Sequence, residues 1–114
     1  MPLSVNNTIS ALNALATRQA VSSNNIANVD ATKFKKSTVI LEAGQTGTVS
    51  SQTQQVTTPG VVINQPDGSV TELSNVDLGQ ELVGMIPTQR GYEANLKALQ
   101  VNQEMEDTTL DLIG

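Results

Sequence analysis

The chain has 114 residues, which predicts one small domain, and its formal net charge of −5 argues against a nucleic-acid partner, because binding phosphates needs a basic surface. It has no Cys and no His, which excludes disulfides, thiolate and imidazole metal sites, and His-based acid–base catalysis. With one Phe, one Tyr and no Trp, the core must be aliphatic and thin. We therefore expect a lone copy to be loosely folded and association to complete it.

Nothing in the sequence predicts a membrane segment. No stretch approaches the ~20 apolar residues that a membrane-spanning helix needs. Residues 1–7 have neither a basic region nor an apolar run, so they do not form a cleavable Sec-type signal. The protein should stay in the cytoplasm or leave by a route that reads no cleavable signal.

The first predicted element is a helix over residues 4–28, capped by Ser4 or Asn7. Its apolar positions alternate three and four apart, the spacing of the narrow seam that coiled coils bury. The polar end of this helix, with its run of Ser and Asn, should fray unless its amides bond to something specific. The seam is formed by Val5, Ile9, Leu12, Ala16, Gln19, Ser23 and Ile26.

The middle of the chain predicts short β-structure. Phe34 should anchor the turn that leaves the first helix, and residues 37–41 predict a strand from their β-branched content. Residues 42–59 are a loop, or strands that need a partner. Residues 60–64 and 69–73 predict a hairpin around the turn residues 65–68, Gln-Pro-Asp-Gly.

A second, long helix is predicted from Ser74 to Asp111, opened by a capping box between Ser74 and Asp77. Pro87 removes one backbone donor, so we expect a kink or a break near residues 84–88. The same alternation of three and four recurs on this helix. Its seam is formed by Leu78, Leu82, Met85, Gln89, Tyr92, Leu96, Leu99, Gln103, Glu106, Leu110 and Ile113.

Together these elements predict a mainly α fold with a small β insert, in which the N- and C-terminal helices pair as a coiled coil with a β-hairpin between them. The helical domain comprises residues 1–30 and 74–114, and the β-containing insert comprises residues 31–73. Polar residues in the two seams would cost stability and could specify register or partner number.

The residues offer no active site. Without His and Cys, catalysis would need a carboxylate pair or a Ser–Lys dyad, and no such constellation is present at a suitable spacing. We therefore predict no enzyme, no catalytic residue, no cofactor and no metal. Lys33, Lys35 and Lys36 form the one basic cluster, which we interpret as a solvated turn in preference to an anion or lipid site.

Two stretches resemble the signatures of the bacterial flagellar rod and hook axial proteins. Residues 22–35, SSNNIANVDATKFK, resemble the Asn-Asn-x-Ala-Asn…Thr-Gly-Phe-Lys signature of that family, with Lys33 where the family usually has Gly. Residues 75–95, from NVDL through QRGYEAN, resemble its C-terminal signature, as does the ending at residues 104–112. The short middle is most similar to that of a small, proximal rod subunit.

The resemblance implies a structural subunit of the flagellar basal-body rod, which self-assembles into a helical shaft, crosses the periplasm and transmits torque. It also implies export through the flagellar type III channel without cleavage. The partners would be further copies, other axial proteins and the export apparatus, with no nucleic acid and no membrane span. The predicted subunit interface comprises Leu12, Ala16, Asn24, Asn25, Ala27, Asn28, Phe34, Gln89, Arg90, Tyr92, Asn95, Leu96 and Leu99.

The sequence leaves two other functions open. A component of another helical assembly, such as a secretion needle or a phage tail, would also pair terminal helices. The Asn-rich signature and the insert between the helices count against it. A secreted adaptor or chaperone-bound regulator is the third possibility, and it would not gain helix content as its concentration rises.

Overall fold

The computed structural model describes residues 3–113 and contains two long helices and two small antiparallel sheets. This confirms the predicted mainly α chain with a small β insert. The elements, in chain order, are α1 (Leu3–Ala27), β1 (Ser37–Ala43), β2 (Val49–Gln55), β3 (Val62–Asn64), β4 (Val70–Glu72) and α2 (Leu78–Ile113).

The molecule is an elongated rod, with extents of 79 × 24 × 15 Å and a radius of gyration of 20.3 Å. A compact chain of this length would have a radius of gyration of about 13 Å. The cause is α2, whose 36 residues span about 54 Å at 1.5 Å per residue. A rod of this shape buries little surface against itself.

The two helices pack against each other in opposite directions. Near one end, the Asn25 amide of α1 donates a hydrogen bond of 3.1 Å to Glu81 Oε1 of α2. Further along, the Leu15 side chain lies so close to Gly91 that a Cβ built there would be 3.4 Å from Leu15 Cδ1. Residue numbers rise on one helix as they fall on the other, so the pair is antiparallel. Its coiled-coil geometry stays a prediction.

The C-terminal part of α2 extends past the start of α1. The two contacts above, Asn25 with Glu81 and Leu15 with Gly91, are ten residues apart on each helix. Continued at the same register, the pairing places position 3 of α1 opposite about position 103 of α2. The side chain of Asn102 is half-buried, whereas those of residues 103–112 are all exposed. We call residues 103–112 the C-terminal overhang. Three turns of helix therefore have no partner helix within the described chain.

The first hairpin covers one face of α1. β1 and β2 pair from Ser37↔Gln55 to Ala43↔Val49, which confirms the predicted strand at residues 37–41. The sequence left residues 42–59 as either a loop or strands that need a partner. β2 is such a strand, and its partner is β1. Along β1 the side chains alternate, and Ser37, Val39 and Leu41 are the half-buried ones. Both strands contact α1.

The second hairpin, β3 with β4, is the one predicted from its turn residues. The Gln65 backbone carbonyl accepts from the N–H of Gly68, which has a φ of +89°. The carboxylate of Asp67 accepts from the N–H and the hydroxyl of Ser69. Just before this hairpin, Gly60 passes over the backbone of Leu73. A Cβ at Gly60 would overlap the Leu73 carbonyl oxygen, so a side chain has no room there.

Two predictions about helix ends were wrong. α2 begins at Leu78, and its cap is Asp77, whose Oδ1 accepts from the Gln80 N–H at 3.1 Å. Ser74 instead accepts from the Val76 N–H in the preceding turn, because the chain there runs beside Phe34 before the helix starts. Ser4 and Asn7 are not at the start of α1, since the helix already begins at Leu3.

The helix α2 is also unbroken at Pro87. A proline in a helix removes one hydrogen bond and crowds one carbonyl, which neighbouring turns can tolerate. The Thr88 hydroxyl donates to the Gly84 carbonyl one turn earlier, at 3.1 Å. The predicted break is therefore absent, and a bend stays a prediction.

Candidate subunit interface

A polar row on α1 holds the first hairpin. Its members lie three, eight and seven residues apart, at about one or two helical turns, and reach the strands or the turn between them. Asn7 Nδ2 donates to the Thr46 carbonyl, and Arg18 donates to the Val39 carbonyl. Ser10 Oγ accepts from the Val49 N–H at 2.9 Å. Polar groups that pair with strand backbone fix the hairpin in one position along the helix.

Asn25 ends this row and joins three elements. Its side chain is only 2% exposed. Its Oδ1 accepts from the Ser37 N–H at 3.1 Å, while its Nδ2 donates to the Ser37 carbonyl at 2.8 Å and to Glu81 Oε1. The predicted specific partner of the Asn-rich end is thus the start of β1 together with α2. α1 consequently stays helical as far as Ala27.

Asn75 forms a second junction, which the sequence analysis placed only within a helix cap. Its Oδ1 accepts from the Lys36 N–H at 2.7 Å, and its Nδ2 donates to the carbonyls of Val56 and Thr58. Its own N–H donates to the Phe34 carbonyl. One amide therefore ties together the segments before β1, after β2 and before α2. The position of Asn75 inside the quoted family signature was the signal that could have found it.

The basic turn is built around Glu72. Lys35 forms an ion pair with the Glu72 carboxylate, which also accepts from the Gly60 N–H. These two donors, the Lys35 ammonium first, hold the pKa of Glu72 below its usual range. Lys33 donates its N–H to the Glu72 carbonyl and has a φ of 60°, a left-handed backbone conformation that favours glycine.

The predicted interface residues on α1 and the following turn occupy varied positions. Leu12 is buried against the rest of the chain, as is Asn25. Asn28 and Phe34 are half-buried, with Asn28 Nδ2 donating back to the Asn24 carbonyl. The remaining members are exposed, namely Ala16, Asn24 and Ala27.

The predicted interface residues on α2 mostly face outward. Gln89, Arg90, Tyr92 and Leu96 are exposed. The half-buried ones are Asn95, whose Nδ2 donates to the Gly91 carbonyl at 2.8 Å, and Leu99.

Small and polar residues make up most of the side of α2 that faces α1. Several better buried positions lie one step away from the predicted seam, for example Thr88 beside Gln89 and Asn95 beside Leu96, while Met85 and Leu99 of the seam are half-buried. The apolar row is therefore left largely in contact with water.

An open groove runs between the two helices. It has a volume of about 610 Å³ and brings together Ala16, Gln89 and Tyr92 from the predicted set, but not Asn28 or Phe34. Gln19 Oε1 lies buried in this region without a hydrogen-bond partner among the described residues. Its other lining residues are Leu15, Ala20, Thr88 and Glu93.

Large apolar side chains continue along α2 beyond this groove. Met105 is 61% exposed, Leu110 is 66% exposed and Leu112 is 84% exposed. Met105 and Leu112 share one face of the helix, and Leu110 lies on another. Large exposed apolar side chains of this kind are typical of sites of association. Within residues 3–113, no helix is both long enough and apolar enough to cross a bilayer.

The two ends of the chain match known flagellar families. Residues 6–35 match the family described as flagella basal body rod protein, and residues 68–112 match flagellar basal body rod FlgEFG protein C-terminal. The matched segments contain most of α1, the following turn as far as Lys35, and nearly all of α2. The chain belongs to the flagellar basal-body rod and hook protein family, a family of structural components.

Two relatives carry the name flagellar hook protein FlgE. The chain is 44% identical to that of Helicobacter pylori (strain ATCC 700392 / 26695) over 45 residues, which are 40% of this chain and 6% of the relative. It is 46% identical to that of Treponema pallidum (strain Nichols) over 41 residues, 36% of this chain and 9% of the relative. The matches thus span less than a tenth of the length of either hook protein.

Proposed function

We propose that this protein is a structural subunit of the flagellar basal-body rod, which self-assembles with further copies and other axial proteins into a helical shaft that transmits torque. The observation that carries the proposal is the exposed apolar row of α2 in a chain of the rod and hook family. Burying apolar surface yields about 25 cal/mol per Å², so a row this long favours association strongly.

In this proposal α1 and α2 form the inner wall of the shaft, paired as a coiled coil, and the hairpins lie outside. The interface uses the exposed members of the predicted set, such as Tyr92 and Leu96, which can contact another copy, whereas Leu12 and Asn25 are buried within the chain. Stiffness comes from many repeated weak contacts, since one elongated copy has little core of its own.

We further propose export through the flagellar type III apparatus, without a cleavable signal, to a rod that spans the periplasm. The thin core supports this route, because a chain of marginal stability unfolds at little cost. Among the described residues of the 79 Å rod, the buried hydrophobic side chains are those of Val5, Leu12 and Ala14.

The hook is the second candidate location, because the two relatives are hook proteins. The rod is favoured by the short segment between the two family matches, residues 36–67, which holds only the first hairpin and part of the second. A proximal rod position fits a subunit with so small an insert.

Two measurements test the proposal. Circular dichroism and sedimentation velocity against concentration should show gain of helix and growth of oligomers together, whereas an unchanged monomer at all concentrations would contradict it. Electron microscopy of basal bodies with a tag inserted at the exposed turn, residues 65–68, should then show label on the rod. Label on the hook would select the second candidate.

A further inference from the structure

The two ends of the rod carry opposite charge. The C-terminal overhang has four carboxylates, Glu104, Glu106, Asp107 and Asp111, and the chain has no Lys or Arg after Lys97. At the opposite end, around the start of α2, lie three of the six basic residues, Lys33, Lys35 and Lys36. The carbonyl groups at the end of α2 add a partial negative charge to the acidic end.

The overhang also has two distinct faces. Glu104, Asp107 and Asp111 are three and four residues apart and share one face of the helix. Met105 and Leu112 lie on the neighbouring face, both exposed. The overhang is therefore an apolar strip bordered by carboxylates, and its partner needs an apolar surface bordered by lysine.

A cleft of about 550 Å³ at the other end has these properties. Apolar side chains line it from two segments, residues 56–61 and 76–78, and Lys36 lies at its wall. Asp77 lies there too and caps α2 by accepting from the Gln80 N–H, so the acidic side of a partner has to face Lys36 and not Asp77. Val61, 68% exposed, stands in the wall of the cleft. We call this the Lys36 cleft, and its apolar lining residues are Val56, Pro59, Val61, Val76 and Leu78.

Lys36 is available for such a contact. The one ion pair among the described residues joins Lys35 to Glu72, and Lys36 is held through its backbone N–H by Asn75. Its ammonium group is not committed to a carboxylate of residues 3–113. A charge next to an apolar cleft favours a partner of opposite sign.

We propose that the C-terminal overhang of one copy docks into the Lys36 cleft of the next copy, with Asp107 and its acidic neighbours facing Lys36. The proposal rests on the proposed self-assembly and states which two surfaces meet. The contact is head to tail, because the two surfaces differ and lie at opposite ends. A contact of that type generates a filament when the rotation between copies does not close a ring, and surfaces at opposite ends of a long rod direct the repeat along its axis.

One chain cannot make this contact with itself. Lys36 is bound to Asn75 just before α2, and Asp107 lies 29 residues beyond Leu78, about 44 Å along the helix. A disulfide needs Cα atoms within about 7 Å. The chain also has no native cysteine, so an introduced pair reports on contacts between copies alone.

The test uses the full chain with the double substitution Lys36→Cys and Asp107→Cys, oxidised mildly at a concentration where oligomers form. We expect a ladder of covalently linked dimers, trimers and longer species. The matched control pairs Asp107→Cys with Asn13→Cys, an exposed position midway along α1, and should give no ladder.

The charge contribution is tested separately. Lys36→Glu should weaken association about fivefold in low salt, and adding Asp107→Lys should restore it. A ladder from the Asn13 control but not from the Lys36 pair, in a chain that still forms oligomers, would overturn this docking and leave the proposed function intact. A chain that never associates would overturn both.

Discussion

The two helices of this rod have similar sequence periodicity but opposite environments. α1 is covered on two sides, by α2 and by the first hairpin, and its polar row is paired with strand backbone. α2 contacts α1 mainly through small and polar residues and leaves most of its larger apolar side chains exposed. The difference teaches that a narrow apolar seam predicts a buried surface without telling whether the same chain or another copy buries it.

Truncating one leucine on each helix tests this comparison most sharply. Leu12→Ala on α1 removes a side chain that is 9% exposed, so it should lower the free energy of unfolding of the monomer by about 3 kcal/mol. Leu110→Ala on the overhang should change it by less than about 0.5 kcal/mol, because that side chain is exposed. Chemical denaturation of dilute protein measures both values.

The two variants should rank in the opposite order when oligomer formation is measured. Leu110→Ala should impair oligomer formation in sedimentation experiments, whereas Leu12→Ala should assemble once it is folded. Equal losses of monomer stability in the two variants would contradict the assignment of α1 as covered and α2 as open.

Asn25 tests the polar side of the comparison. Asn25→Ala leaves the Ser37 N–H and carbonyl without their partner in a buried site, which should cost about 2 kcal/mol of unfolding free energy. Its neighbour Asn24 is exposed, so Asn24→Ala is the matched control and should be nearly neutral in the monomer. If both variants unfolded at the same denaturant concentration, Asn25 would not be the junction described above.

Lys33 should give a smaller effect of opposite sign. A non-glycine residue at a φ of 60° carries a strain of about 1 kcal/mol, so Lys33→Gly should raise stability by up to about that amount. Lys33→Ala removes the side chain but keeps the strain, and it should leave the midpoint of thermal unfolding nearly unchanged. A gain from Ala equal to that from Gly would mean that charge, and not backbone conformation, is responsible.

The smallest expected effect is on pH dependence. Glu72 has a lower pKa in the folded chain than in the unfolded chain, because Lys35 and the Gly60 N–H stabilise its carboxylate. Its contribution is therefore complete above about pH 4.3, the unfolded value, and is lost as pH falls through the lower folded pKa. Glu72→Gln should flatten this part of the stability profile, and an unchanged slope would argue against the pairing.

Asp67 lies in the same pH window and serves as an internal comparison. The Ser69 hydroxyl and N–H lower the pKa of its carboxyl, so Asp67 also loses its contribution as the pH falls. Glu72→Gln should therefore remove part of the slope of stability against pH. Asp67→Asn should remove the part that belongs to the hairpin turn.

The sequence predicted the elements better than their surroundings. Periodicity identified both long helices, and Gln-Pro-Asp-Gly at residues 65–68 identified the second hairpin, because these signals are local. β2 has no alternation of its own, and it becomes a strand because β1 lies beside it. The true cap of α2, Asp77, was hidden by a capping box that begins at Ser74.

The candidate interface was harder to predict for a physical reason. Which row of α2 faces α1 depends on how closely two backbones approach, and Gly91 beside Leu15 sets that distance. The hydrogen bonds of Asn25 and Asn75 depend on strands that are distant in sequence. Sequence periodicity contains none of this information, and the predicted contacts between copies stay predictions.

Amide hydrogen exchange, compared between dilute monomer and assembled protein, tests the central claim most directly. We predict that amides of residues 8–25 in α1 are protected in both states, and that residues 103–112 of the overhang exchange fast in the monomer and slowly after assembly. An overhang equally protected in both states, or unprotected in the assembled protein, would contradict the claim that other copies cover it.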